Sequence, residues 1–210
     1  MASNAVIAGA DARKTLPVVA PPDCATELAA WVDISRRWAE RGGQTVLTQL
    51  LGQDCIPQPW AHHPPQDAHD PGSGFRWYYH CHPGGGRSPG EHGHFHLFSD
   101  RPDVVAESAA VTHLIAISVN PLGLPCGVFA PNGWVTDEHP WPASVVLRRL
   151  RAFALQRPVR LRPVHEWLRR TLGAVAPQVR ATLKMRDLRL RQLSRSRPRP
   201  KVLEDRRIAV

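Results

Sequence analysis

Two short segments of this chain carry histidines at alternate positions. The run Glu91-His92-Gly93-His94-Phe95-His96-Leu97-Phe98 contains three, and Tyr78-Tyr79-His80-Cys81-His82 contains two. Side chains alternate between the two faces of a β-strand, so the histidines of each segment would share one face. Neutral imidazole is a common nitrogen ligand of zinc, iron, copper and nickel. The pattern therefore predicts a site for a divalent transition metal on a β-hairpin.

The register of that hairpin determines whether the two sets of histidines meet. If His82 lies opposite His92, then His80 faces His94 and Tyr78 faces His96, all on one side of the sheet. A shift of one residue would move His80 and His82 to the opposite face. The nine-residue connection PGGGRSPGE does not dictate the register, because it is rich in glycine.

Other polar residues near the hairpin are candidates for the same site. His113 begins the next predicted strand and is a further candidate metal ligand. Glu91 is a candidate catalytic residue, either as a general base or as a carboxylate that binds the metal or orients an imidazole. Further candidates for binding a small-molecule ligand are Tyr78, His62, Asp67, Asp70, Asn132 and Trp134. These are more groups than one ion can bind, so some must have other roles.

The elements that position these residues follow from hydrophobic periodicity. Helices are predicted over 24–41, after a capping Asp23, and over Val46–Leu51, followed by a proline-rich loop over 52–74. Four strands are predicted, at Phe75–His82, His92–Phe98, Thr112–Val119 and Leu124–Ala130. Helices follow over 143–156 and from Pro163 and Pro177. The expected fold is α+β, with an antiparallel β-meander of about four strands packed by N- and C-terminal helices.

Composition predicts a single domain with two irregular ends. Residues 1–22 are expected to be disordered, residues 23–193 to form the α+β domain, and residues 194–210 to be a basic flexible tail. The four cysteines are scattered, and we find no signal peptide and no apolar stretch near the length of a membrane span. These features predict a reduced, cytoplasmic protein that does not contact a membrane.

The net charge of +9 is distributed unevenly along the chain. Residues 148–210 carry 19 Lys and Arg against 4 Asp and Glu, whereas the preceding part is mildly acidic. Arginine suits phosphate, so nucleic acid or an acidic partner is an alternative for the C-terminus. A solvated charged face on a terminal helix is the more usual explanation, and no aromatic residue follows Trp167 that could stack on bases.

Several blocks of the sequence together resemble an uncharacterised bacterial family catalogued as a domain of unknown function. The blocks are HHPPQDAHDP, WYYHCHP, GEHGHFHLF, THLIAIS, GLP and NGWVT, and the resemblance covers roughly residues 25–190. It implies a cytoplasmic bacterial protein whose family pattern includes His80, His82, Glu91, His92, His94, His96, His113, Asn132 and Trp134. Departures from the pattern are His63, Gln66 and Cys81. The resemblance implies a site but no reaction.

Besides the C-terminal alternative, three functions of the histidine cluster remain open on sequence grounds. A metalloenzyme would use three or four histidines around an open coordination position, with Glu91 as acid and base. A non-enzymatic metal-binding or sensing module would use the same ligands in a closed sphere. The third is a polar pocket for an anionic or sugar-like ligand, or a structural histidine ladder.

Overall fold

The computed structural model describes residues 23–53, 56–84, 89–100, 111–133 and 140–205. Its strands are β1 (His63–Asp70), β2 (Phe75–His80), β3 (Gly93–Ser99), β4 (Thr112–Val119) and β5 (Pro125–Phe129). Its helices are α1 (Cys24–Glu40), α2 (Val46–Leu51), α3 (Ala143–Arg151), α4 (Arg162–Ala174), α5 (Ala176–Leu193) and α6 (Arg199–Glu204). The segment expected to be disordered, residues 1–22, lies outside the described residues, as does Trp134.

The strands form one antiparallel sheet in the order β1-β2-β3-β4-β5. The α+β prediction and the meander are confirmed, but the sheet has five strands instead of four. The additional strand, β1, lies within the segment predicted to be a proline-rich loop. Pro64 and Pro65 fit there because β1 is an edge strand, and its pairing with β2 is interrupted between His63 and Ala68. Proline is tolerated on edge strands and at irregularities, where no ladder N–H is required.

Helices α1 and α2 each begin at a side-chain cap. The Asp23 carboxylate accepts a hydrogen bond from the Ala25 N–H at the start of α1, and the Thr45 and Thr48 hydroxyls form a reciprocal cap on α2. Prolines occupy the first turns of α4 and α5, where a missing N–H costs nothing. Helix α3 ends at Arg151, earlier than the predicted 156.

The last described segment differs from the predicted flexible tail. Residues Arg199–Glu204 form helix α6, and Val202 is buried. The Asn132 amide donates a hydrogen bond of 3.0 Å to the Val202 carbonyl. Because Val202 stands among charged residues, the sequence gives no periodic signal that would predict its burial.

The hydrophobic core lies between the helices and one face of the sheet. Trp77, Phe95 and Ile117 belong to it, and the Phe95 ring centroid lies 5.8 Å from that of Trp167 in α4. Helices α1 and α4 are also joined by the buried carboxylate of Glu27, which pairs with Arg169 and Arg170. The opposite face of β2 and β3 carries the histidines. None of the described helices combines the length and the apolar character needed to span a membrane.

Candidate metal centre

The register between β2 and β3 brings the two histidine segments together. Tyr78 pairs with His96 and His80 pairs with His94, which is the register that places both sets of histidines on one face. Because side chains at directly opposed positions share a face, His80, His94 and His96 lie side by side. His94 and His96 are each only 2% exposed. The sheet therefore gathers three imidazoles in a buried position.

The ring nitrogens of this group are close enough to share an ion. One nitrogen each of His80, His94 and His96 lies within 4.8 Å of the others. The Nε2 atoms of His80 and His94 are 2.8 Å apart, and His82 Nε2 lies 3.4 Å from His94 Nε2. Two nitrogens bound tetrahedrally at about 2.05 Å from zinc lie about 3.3 Å apart. The group could thus hold a metal ion, and the pair His80–His94 would have to open by about half an ångström to bind it.

Glu91 determines which nitrogen of His94 faces the group. Its Oε1 lies 2.6 Å from His94 Nδ1, and both side chains are buried. Because an ionised carboxylate can only accept, His94 donates from Nδ1 and presents the Nε2 lone pair to His80. A carboxylate behind an imidazole is the arrangement that orients metal-binding histidines and raises their basicity.

Burial keeps two of the clustered imidazoles neutral. Burial, together with the positive charge that His94, His82 and His62 can carry, lowers the pKa of His80 to about 3. Burial, together with the charges of Arg186 and His94, also lowers the pKa of His113 to about 3. Metal binding requires deprotonated imidazole, so these rings are in the competent form at neutral pH.

His113 joins the cluster through an irregularity in the sheet. Strict alternation along β4 would place it on the core face with Ile115 and Ile117. The pairing between β3 and β4 shifts by one residue between Leu97 and Phe98, so that His113 lies opposite Phe98. Its Nε2 is then 2.9 Å from His96 Nδ1. Such an extra residue re-aims a side chain, here toward the histidine face.

His92 is not brought into the group. It precedes β3, and its Nδ1 lies 2.5 Å from the hydroxyl of Tyr79, whose ring belongs to the core. The next residue, Gly93, lies where an added Cβ would meet the Tyr79 ring and the His80 carbonyl. Gly93 is therefore needed for the close approach of β2 and β3. The alternation of side chains along β3 does not extend back to His92, whose ring lies on the side of Tyr79.

The chain was also compared with known protein families, curated proteins and solved structures. The family described as a domain of unknown function (DUF6969) matches residues 26–210. The chain belongs to the DUF6969 family. The match confirms the expected kind of family and extends through the basic C-terminal region. No curated protein and no solved structure matches the chain.

One surface of the cluster in this DUF6969 domain carries a residue that sequence reasoning missed. Trp60 is 58% exposed, and its ring centroid lies 4.3 Å from that of His82. Its φ of 68° is rare for a residue with a bulky side chain, and such strained positions concentrate at functional sites. A single aromatic residue in a proline-rich segment carries no periodic signal that could have indicated this position.

Some of the residues predicted to bind a small molecule lie beside the histidines, and others do not. His62 stacks on Tyr78 with ring centroids 3.7 Å apart, and its Nδ1 lies 2.9 Å from Asp67 Oδ1. These three residues border the cluster. Asp70 instead accepts hydrogen bonds from the N–H groups of Gly72 and Gln156, and Asn132 holds the C-terminal segment at Val202.

Proposed function

We propose that this protein binds a divalent transition-metal ion through His80, His94 and His96. The observation that carries the proposal is the convergence of three buried imidazoles, one of them oriented by Glu91. A structural histidine ladder would not need a buried carboxylate behind one of its rings. An all-imidazole set suits zinc, copper, nickel and iron, whereas magnesium and calcium prefer oxygen ligands.

With three histidine ligands, the ion would keep a fourth coordination position for water or substrate, which would allow a catalytic use. Three protein ligands with a water or substrate in the fourth position are typical of catalytic zinc, whereas structural sites are closed. His82 is half-buried beside exposed Trp60, so this edge of the group lies nearest to solvent. Water or a small-molecule substrate would enter here, and the ion would polarise it. Glu91 would position His94, since its Oε1 already bonds to that ring.

The decisive experiment is metal analysis of untagged protein by plasma mass spectrometry, with two matched variants. In His94→Asn, the shorter amide reproduces the Nδ1 bond to Glu91 but removes Nε2, the atom that faces His80. In His92→Asn, the same substitution is made two residues away, where the ring bonds to Tyr79 instead. We expect about one ion per chain in the parent and in His92→Asn, and loss of the ion in folded His94→Asn.

Two results would contradict the proposal. One is a parent protein that stays metal-free after reconstitution with zinc, iron, copper and nickel. The other is equal metal content in both variants. Cobalt substitution separates catalytic from structural use, because an exchangeable water on the bound cobalt requires an open position. A four-nitrogen tetrahedral spectrum, lost in His82→Gln, would instead identify a closed site.

A further inference from the structure

A basic groove lies between α3 and α5, and none of the clustered histidines lines it. Its volume is about 860 Å³. Helix α3 contributes positions 144, 147, 148 and 151, and α5 contributes 180, 184, 188 and 191. Both sets recur at spacings of three and four residues, so each forms one stripe along its helix. The groove is therefore bounded by two helical faces that run its length.

The rim of this groove, which we call the α3–α5 groove, is strongly cationic. Five exposed basic side chains surround it, namely Arg148, Arg151, Arg180, Lys184 and Arg191. Within the described part of the chain, none of them forms a salt bridge. Among the described residues that line the groove, one is acidic, Asp187, and its carboxylate already accepts from Arg186 and from the Ala143 N–H. The cations are thus free to meet negative charge from outside.

The floor of the α3–α5 groove is apolar. Met185 is 62% exposed and Leu188 is 40% exposed, and both line the groove together with Leu147. Exposed methionine and leucine side chains provide an adaptable apolar surface for a partner. Among the described residues that line the groove, none is aromatic, so stacking on nucleic-acid bases has no platform here.

We propose that the α3–α5 groove binds an acidic amphipathic helix of a partner protein. The apolar face of such a helix would cover Leu147, Met185 and Leu188, and its flanking carboxylates would meet the five cations of the rim. This is the helix-in-groove mode of recognition, with charge complementarity fixing the register. A nucleic-acid backbone would satisfy the cations but leave the apolar floor exposed to water.

The probe is a labelled helical peptide of about 18 residues, roughly 27 Å long, which spans the 16 Å or so from Arg180 to Arg191. It carries leucines at helical spacing and glutamates on the flanks, and a scrambled peptide of the same composition is the first control. Arg151→Glu/Lys184→Glu reverses two rim charges. Arg189→Glu/Arg195→Glu makes the same change in net charge on exposed residues outside the groove.

The proposal predicts micromolar binding of the helical peptide and at least about tenfold weaker binding of the scrambled one. The rim variant should weaken peptide binding about tenfold or more, and the outside variant less than about threefold. Met185→Asn/Leu188→Asn should also weaken it about tenfold, at unchanged melting temperature, because the apolar floor is lost.

Four outcomes would overturn the proposal. They are equal binding of the helical and scrambled peptides, equal losses in the rim and outside variants, no effect of the floor variant, and no binding of the helical peptide at millimolar concentration. Tight binding of a 20-mer oligonucleotide or of phosphatidylserine vesicles, with no binding of the peptide, would assign the groove to a different polyanion.

Discussion

His113 allows a quantitative test of how strongly the sheet buries its imidazoles. The side chain is 2% exposed, and burial with the charge of Arg186 lowers its pKa to about 3, against an ordinary 6.5. Between these two values the unfolded chain binds a proton that the folded protein does not. The contribution of His113 to the free energy of unfolding is therefore present above pH 6.5 and is lost as the pH decreases toward 3. Linkage with these two pKa values gives a loss of about 2 kcal/mol between pH 7 and pH 5.

The assay is urea unfolding at pH 7, 6 and 5 with a chelator present, so that no metal contributes. The perturbation is His113→Gln, whose amide lies near the position of Nε2 and can still bond to His96 but does not titrate in this range. The variant should lose about 2 kcal/mol less than the parent between pH 7 and pH 5, because its remaining histidines are the same. Parallel pH profiles of the two proteins would refute the reasoning, since His113 would then accept a proton as readily when folded as when unfolded.

Three further predictions concern the metal centre and its support. Glu91→Gln should weaken metal binding about 10- to 100-fold, measured by competition with a chelator, because the ring of His94 loses its carboxylate; unchanged affinity would remove Glu91 from the site. Gly93→Ala should destabilise the protein by about 1–3 kcal/mol in thermal unfolding, because the added Cβ meets the Tyr79 ring and the His80 carbonyl. The matched Gly127→Ala change, whose Cβ meets Ser118 at an ordinary 3.6 Å, should have little effect, and equal losses would contradict the close packing at Gly93. Titration with copper should quench part of the tryptophan fluorescence, since Trp60 lies against His82, and Trp60→Phe should abolish that part.

Local periodicity was enough to predict much of this molecule. Alternation indicates one shared face within each histidine segment, and the capping residue Asp23 indicates where the first helix begins. These signals depend on neighbours within about four residues, so they can be read without knowing the fold. The α+β class and the antiparallel meander follow from them. The register of His80 opposite His94 does not, because the glycine-rich connection between the strands allows more than one pairing.

Contacts between distant segments decided which residues belong to the histidine cluster. His113 enters it because the β3–β4 pairing slips by one residue, and His92 is excluded because its ring turns to Tyr79. Trp60 reaches the cluster because the chain before β1 is held at Cys81, where the Trp60 N–H donates to the carbonyl. Pairing irregularities and loop placement arise from packing between residues far apart in the sequence. The sequence by itself thus determined that the histidines within each strand share a face, because alternation is local. The tertiary structure decided which of those imidazoles meet, because that depends on strand register and packing.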